Sequence, residues 1–525
     1  VVTHEEVPVL IVGGSLVGLT TAMLLGEFGV PSLSVERHAG TAIHPRAGHF
    51  QLGTTEMLRQ AGLERTVREA SAKTYHPKGG IIAVESLAGE QLATYVQELN
   101  EGVEGFSPTV RVFINQDVLE PILRERAVEL GATVINRTEV TALDQDDEGV
   151  TATLRDLDGG DERTVRARYV VAADGNRSPT RARLGIPMEG YGELSRSITI
   201  YFRADCAPLL KDRNQGVIYV HNKELRGFFR LDRTGGTGFL VINTVGEDVT
   251  TDEAVSVSDG LTPERAQELL DIAIGTPDVP SEVIDVAHWR AESNYAARMS
   301  EGRVFLAGDA AHVVPPNGGF GGNAGVLDAR NLAWKLAAVV KGEAEPALLD
   351  TYDVERGPLA RQTVEQAYNR YALRVVPERG TDDVEPFIAD IELELGLVMR
   401  SRAVIDDGEE DDGALHRELS TLGGRPGTRA PHVVIGDDRS TIDLFGRSFV
   451  LLRVAGPEVD DWAPDGVEAH VIDADGFAEA YGLAPGGAVL VRPDGIVGWR
   501  SKDRLDREEL SRALDSILAR EAAYA

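Results

Sequence analysis

Cysteine is almost missing from this chain: Cys206 stands alone among 525 residues. That count excludes an intramolecular disulfide, a CxxC redox pair and a thiolate zinc cluster. Long apolar runs are also missing, none approaching the roughly 18 residues of a membrane span. Val1 to Glu6 lack the basic-then-apolar pattern of a secretory signal, so a soluble, cytoplasmic protein is the expectation. Basic charge is scarce: 53 Lys and Arg face 85 Asp and Glu, for a formal net charge of −32. Phosphate-rich surfaces repel such a chain, so neither nucleic acid nor an anionic membrane is an expected partner. No His, Cys or carboxylate cluster has ligand spacing, and no metal is expected. What remains is ordinary globular composition, 42% apolar and 26% charged. The length suits about three domains at roughly 100–200 residues each.

The opening reads as strand, turn, helix, strand. Val7–Val12 is apolar nearly throughout, as a parallel strand covered on both faces would be. Gly13-Gly14-Ser15-Leu16-Val17-Gly18 follows, then a helix to Phe28 and a strand over Val30–Val35. In a dinucleotide cradle Gly13 permits the tight turn and Gly18 the close packing of helix on strand. Ser15 stands where such loops usually have a second glycine, and Leu16 and Val17 lead into the helix. Glu36, with Arg37 beside it, ends the second strand, where a carboxylate binds ribose hydroxyls. A glycine-rich turn alone is as readily structural; the flanking strands and helix favour the phosphate reading.

Residues 195–245 change character. Ser195–Arg203, Val217–His221, Gly227–Leu231 and Phe239–Val245 are short β-rich runs between polar turns, which predicts an antiparallel meander inserted as a second layer. A helix is predicted from Thr262 as N-cap, through Pro263, to a stop at Gly275. Six acidic residues crowd positions 406–413 and read as a solvated linker or loop. Beyond about 428, strands over Phe449–Val454, Val467–Ile472 and Ala488–Val491, a Pro493-Asp494-Gly495 turn and a helix over Arg504–Arg520 predict a small α/β domain.

Two later segments complete a pattern: the strand Tyr169–Ala173 ending in Asp174-Gly175, and the strand Gly302–Ala307 ending in Gly308-Asp309. A loop, Pro315-Pro316-Asn317-Gly318-Gly319-Phe320-Gly321-Gly322-Asn323, then enters a helix running to about Val340. In this order the segments resemble the FAD-dependent, single-component aromatic hydroxylases of the para-hydroxybenzoate hydroxylase fold, over the whole chain. Among these, the bacterial polyketide hydroxylases look most similar, given Asp328–Leu336 and Val491–Arg500. The resemblance implies an α/β architecture: a Rossmann-like FAD domain, an inserted antiparallel-sheet substrate domain and a C-terminal thioredoxin-like domain. The expected boundaries are 1–74, 106–180 and 285–370 for FAD, 75–105 and 181–284 for substrate, 371–427 for a helical connection and acidic linker, and 428–525 for the tail. The tail has no CxxC pair, which leaves packing or assembly as its role; ending the chain after about Gly427 is expected to leave the flavin site chemically intact while reducing solubility or assembly.

Carried over to this chain, the resemblance assigns Asp309 to the ribityl chain of FAD. It places Pro316, Gly319, Gly321, Gly322 and Asn323 against the flavin, with Arg46 near ring and phosphates, Gln116 touching the cofactor and Arg124 reaching phosphate. A helix start near Asn323 would offer partial positive charge to reduced flavin. The implied reaction is reduction of FAD by NADPH, capture of O₂ as a flavin C4a-hydroperoxide and hydroxylation of a small aromatic, phenolic and polycyclic, substrate. Baeyer–Villiger insertion or oxidative rearrangement by the same cofactor, and non-catalytic flavin binding, stay open as alternatives, as does self-association of the chain.

Tyr219 and Arg374, with Arg46, are the candidate catalytic residues, since a group that takes or stabilises a phenol's proton speeds its oxidation. Their ordinary readings are a core tyrosine and a solvated helix arginine. The meander, residues 75–110 and the helices after 368 should wall an apolar pocket using Phe202, Phe228, Phe229 and Phe239, with Tyr219 and His221 as polar handles. Alternation sends only some of these inward. A multi-ring phenol suits such a wall, whereas a single-ring acid would call for a dedicated arginine clamp.

Overall fold

Strands that are apolar on both faces stack side by side in the first sheet. Glu5–Val12 runs between Glu162–Ala172 and Ser32–Val35, with Val304–Leu306 and Thr133–Ile135 outside them, all parallel. Val9 and Ile11 pack toward helix α1 (Leu16–Glu27) through Leu19, Ala22 and Met23, joined by Leu119 and Leu123 of α2 (Gln116–Glu129). Leu10 and Val12 face a hairpin, Thr138–Gln145 with Val150–Asp156, through Val140, Ala152 and Leu154. The computed structural model describes residues 5–43, 48–210, 213, 216–245, 255–375, 384–436, 438–456, 459–460 and 462–520.

The second sheet is antiparallel over most of its width. Its order is His312–Val313, Ser281–Ala296, Met188–Ala204, Thr237–Val245, Leu225–Leu231, Val217–His221, Ile81–Val84 and Gln91–Val96. Ile198, Ile200, Phe202, Ile218, Phe229 and Leu240 point to one face and bury Ala266, Leu269, Leu270 and Ala273 of α3 (Pro263–Ile274). That helix is capped by Thr262 Oγ1, which accepts from Arg265 N, and stops at Gly275 with φ +80°. Phe202 and Phe229 thus belong to a core, with ring centroids 5.6 Å apart, and not to the pocket wall. Tyr219, Phe228, Val241 and Phe239 share the opposite face. Ser281–Ala296 runs across the expected 284/285 boundary and stays paired to Ala296, because no glycine or proline interrupts it. Helix α4 (Phe320–Lys341) and helix α5 (Thr351–Val375) then return to the first sheet, α5 continuing past 370.

The tail forms a four-stranded mixed sheet in the order Val467–Ile472, Phe449–Val454, Ala488–Val491, Val497–Ser501, covered by α6 (Arg507–Ile517). One face carries its own core of Val450, Leu452, Val489 and Val497. The other, with Phe449, Leu451, Leu490 and Trp499, joins the core of the first domain, where Trp334 meets Phe449 edge-on at 5.5 Å. Behind it lies a fully buried charge network. Arg492 grips both oxygens of Glu355 at 2.6 and 2.9 Å and Asp494 at 2.5 Å, while Lys335 reaches Glu355 at 2.8 Å. Burial pulls the Lys335 pKa down to about 8 against the pull of Glu355. The tail and the flavin domain thus share one core.

The acidic run is a loop, as its sequence reads, and its carboxylates find partners. Asp407 and Glu409 pair with Arg500, Glu409 also with Arg425, Asp411 with Arg400 and Asp412 with Arg417. It is an irregular, largely exposed loop whose carboxylates are nonetheless paired: Arg417 stands five residues from Asp412 and Arg400 eleven from Asp411, whereas Arg500 is 93 residues from Asp407 and only the fold brings it there. Among the described residues no helix is long and apolar enough to cross a membrane, and no His, Cys or carboxylate group could hold a metal.

Candidate active site

At the carboxyl end of the first sheet, backbone meets backbone. Gly13 has φ +113°, and a Cβ there would fall 2.2 Å from the Ala173 oxygen; a Cβ on Gly18 would fall 1.9 Å from the Gly13 oxygen. Glu36 Oε2 accepts from Gly14 N at 2.8 Å and Oε1 from His38 N at 2.8 Å, while Arg37 is exposed beside it. Glu120, which sequence reasoning passed over, is fully buried at the start of α1. Its carboxylate accepts from the Ser15 hydroxyl, from Leu16 N at 2.9 Å, from Ala42 N at 2.7 Å and from Gln116 Nε2 at 2.6 Å. Gln116 and Glu120 are one helical turn apart on α2, the only local signal for this pairing. Arg124 is half-buried one turn further along.

The other two motif segments close on the same place. Asp174 accepts from the Ser178 hydroxyl and from Thr180 N at 3.0 Å, and Arg181 reaches over to the Ala310 oxygen at 2.8 Å. Gly308, Gly325 and Val17 touch: a Cβ on Gly308 would lie 2.8 Å, and one on Gly325 2.5 Å, from Val17 Cγ2. Asp309 is exposed at this turn. Beneath it Asp328, also missed, is fully buried, accepting from Gly308 N at 3.0 Å and Arg356 Nε at 2.8 Å, with His312 Nε2 at 2.6 Å. Burial pushes its pKa up, but His312 and Arg356 outweigh that and hold it down at about 2.

The glycine-rich loop starts α4. Pro316 is exposed, its carbonyl accepting from Gly318 N and Gly319 N. Gly319, at φ +69°, brings its backbone to His49, where a Cβ would sit 3.0 Å from Nδ1. Gly321 and Gly322 are half-buried in the first turn, which contains no acidic residue. The Asn323 side chain is spent on the protein: Oδ1 accepts from Gln51 N and Thr54 Oγ1, and Nδ2 donates to the His49 and Gly319 oxygens. Asn317, in contrast, is fully buried with neither amide atom hydrogen-bonded.

Helix α5 connects this loop with the Tyr219 face of the second sheet: its Arg370 lies 4.9 Å from the ring centroid of Phe320, at the start of α4. Arg374, half-buried on α5, lies 5.9 Å from the Tyr219 ring centroid and 5.6 Å from that of Tyr95. Burial lowers its pKa, but its contact and hydrogen bond with Tyr219, helped by Asp390 and Tyr95, raise it overall. The structure thus brings Tyr219 and Arg374 together; His221 and Phe228 flank Tyr219 at 6.0 and 5.6 Å between centroids. Arg46 lies outside the described residues. Arg230 was not singled out from sequence; it is buried on this face, and burial lowers its pKa, Tyr75 opposing. Burial, then Arg111 and Arg230, hold the neighbouring His49 down at about 3.

Two helix N-termini, a ribose-ready carboxylate and a buried unpaired amide beside a glycine backbone fit a flavin dinucleotide. Comparison with known proteins agrees. The chain matches the FAD binding domain family over residues 6–367 and the aromatic-ring hydroxylase C-terminal family over 423–520. A 4-methyl-5-nitrocatechol 5-monooxygenase from a Burkholderia species is 51% identical over 98% of this chain and 98% of its own. The tetracenomycin A2 monooxygenase-dioxygenase of Streptomyces glaucescens is 38% identical over 98% of this chain and 97% of its own. A crystal structure of aklavinone-11 hydroxylase with FAD and aklavinone superposes with a TM-score of 0.89 at 36% identity, covering 99% of this chain and 100% of that one.

Proposed function

The chain belongs to the FAD-dependent aromatic-ring hydroxylases, and from that premise we propose that it hydroxylates a phenolic ring held as its anion beside the Tyr219–Arg374 pair. Glu36 takes the ribose hydroxyls of FAD, with Arg37 at the rim. The first-turn amides of α1 around Val17 and Gly18, with Arg46 and Arg124, take the diphosphate, and Ser15 and Gln116 are held in place by Glu120. Asp309 takes the ribityl chain, and Pro316, Gly319, Gly321 and Gly322 lie along the ring, with Asn323 fixing the loop behind them. FAD held there would supply the redox chemistry, with electrons from NADPH activating O₂, one oxygen atom passing to the substrate and the other leaving as water.

The protein's share is to bind, orient and tune. Arg374 places positive charge where a substrate hydroxyl sits, which favours the phenolate, and the Tyr219 hydroxyl takes or returns its proton. Phe228, Phe239 and Val241 keep water from the reacting face. That apolar row supports a polycyclic, polyketide-type ring, as do the tetracenomycin and aklavinone relatives. A single ring is the second reading, favoured by the nitrocatechol relative and by Arg230, the buried arginine such a substrate requires. All named residues come from one chain, so monomer and homo-oligomer serve equally, and a cytoplasmic setting gives access to NADPH.

The carrying observation is the Tyr219–Arg374 contact on the apolar sheet face. The test is NADPH oxidation coupled to product mass, for a catechol, para-hydroxybenzoate and an anthraquinone phenol. A coupled gain of one oxygen is expected on at least one of them. Arg374→Met should lower kcat/KM about 10–100-fold, the worth of a charged hydrogen bond of about 1.5–3 kcal/mol, with FAD content unchanged. NADPH oxidation indifferent to every phenol would sink the reading.

A further inference from the structure

Helix α5 carries two arginines one turn apart, Arg370 and Arg374, so both lie on one face. Arg374 meets Tyr219 and Tyr95, and among the described residues no carboxylate pairs with it directly. Arg370 is 1% exposed and has its partner: Nε and Nη2 donate to Asp390 Oδ1 at 3.1 and 2.5 Å. Phe320, the ring beside Arg370, adjoins the flavin loop, for a Cβ on Gly318 would fall 2.3 Å from its Cε2. The ion pair therefore stands next to that loop, one helical turn from Arg374.

Polar contacts deliver Asp390 to this place. Ahead of it, 385–388 is neither helix nor strand, and Phe387 is exposed. Side chains of α5 hold that stretch by its backbone. Asn369 Nδ2 donates to the Glu385 oxygen at 2.6 Å, Gln366 Nε2 to the Pro386 oxygen at 2.7 Å and Arg370 Nη2 to the Ile388 oxygen at 2.8 Å. Gln366 Oε1 accepts from Ile388 N at 3.0 Å. Asp390 itself is 46% exposed, and an ion pair with so open a partner adds little to stability. Its charge has a wider reach, supporting that of Arg374 and favouring protonation of His49, beside Gly319.

We propose that Asp390 is a positioning residue for the reaction: by neutralising Arg370 it leaves α5 presenting one positive charge, that of Arg374, and so sets how readily the bound phenol ionises. The proposal rests on Arg374 facing the substrate hydroxyl, as the proposed function has it. Without the carboxylate, two like charges one turn apart would act on the phenol; without Arg370, the carboxylate would oppose Arg374. Glu394, one turn beyond Asp390, is pushed up to about 7 by burial against the pull of Arg111, its partner at 2.9 Å. It stays in place, with Arg111, Arg230, His49, Tyr95 and Tyr219, in every variant that tests the pair.

The FAD-loaded enzyme is saturated with 4-nitrocatechol and taken through pH, and ionisation of the bound phenol is read from its absorbance against the enzyme alone. Asp390→Asn, which keeps an oxygen for Arg370, should lower the midpoint, and Arg370→Met should raise it. Each should change the ionisation constant about three- to tenfold, with FAD content unchanged. The double variant Arg370→Met/Asp390→Asn, with neither charge, should return to near the wild-type midpoint, and Asp390→Glu should hold it there. Midpoints that stay in place in both single variants, or that move the same way, overturn the proposal, as does a double variant that keeps the full shift of either. If Asp390→Asn does not fold, Arg370→Met and the double variant decide by the same criterion. If 4-nitrocatechol does not bind, the midpoint is read from the acid limb of kcat for a phenol that turns over. Arg374→Met separates the two readings. A midpoint it leaves in place means that this arginine does not face the phenol, and the proposed function fails. A midpoint it raises, while the Asp390 and Arg370 variants change nothing, rejects the role of Asp390 alone.

Discussion

Asp328 joins four segments through one carboxylate: the Gly308 turn, His312, Arg356 and its own helix. It touches no expected part of the flavin and acts by positioning the turn that presents Asp309. Its folded pKa, about 2, lies below the ordinary 3.8. The stability it contributes is thus fully present above 3.8 and is lost as pH falls through about 2. Asp328→Asn should cost about 3–5 kcal/mol at neutral pH, the usual result of stranding a buried arginine. Denaturant unfolding of both proteins, repeated at decreasing pH, should show the gap closing in acid. A gap independent of pH would mean that the carboxylate's charge is not what stabilises the turn.

Among the elements, α1 meets α4 and the Gly308 turn at a close point in the cradle, Val17 against Gly325 and Gly308. Gly325→Ala would place a methyl 2.5 Å from Val17 Cγ2 and 3.0 Å from Gly308 Cα. Overpacking of this kind costs about 1–3 kcal/mol, and here it should also weaken FAD retention on dilution. The double variant Val17→Ala/Gly325→Ala should recover both; a single variant that keeps its flavin would show the contact to be slack. The strands over Val217–His221, Phe449–Val454, Val467–Ile472 and Ala488–Val491 and the helix begun by Thr262 match their sequence reading residue for residue. Each is a short run bounded by turn or cap residues, so its limits are written locally. Met188–Ala204 begins seven residues before its predicted start at Ser195 because bulges beside Gly190 and Gly192 hide the alternation there. The turns that carry the loop glycines, Glu36 and Asp309 were legible as turns because their spacing carries the signal. Glu120, Asp328 and Arg230 were not, because each acquires its meaning from a partner brought in by the fold; Glu120 and Ser15 are 105 residues apart.

At the scale of the whole molecule, the tail completes the core of the flavin domain. Ending the chain after Gly427 would uncover Trp334 and deprive Glu355 of Arg492. The shortened protein should be poorly soluble and depleted of FAD, measured by the soluble fraction and flavin absorbance. A soluble, flavin-replete fragment with an unchanged melting midpoint would contradict the shared core.

The same seam governs which hybrids of such proteins can live. Position 492 reads 355, position 494 reads 331 and 334, and 355 also answers to 335. A recombination point near 428 divides that set between two parents. A foreign tail that brings a neutral residue at 492 leaves the buried Glu355 with Lys335 alone to offset its charge, whatever the overall likeness of the parents. Tails are therefore heritable only together with their sockets, and shuffling experiments should recover crossovers that keep 331–355 and 491–494 from one parent.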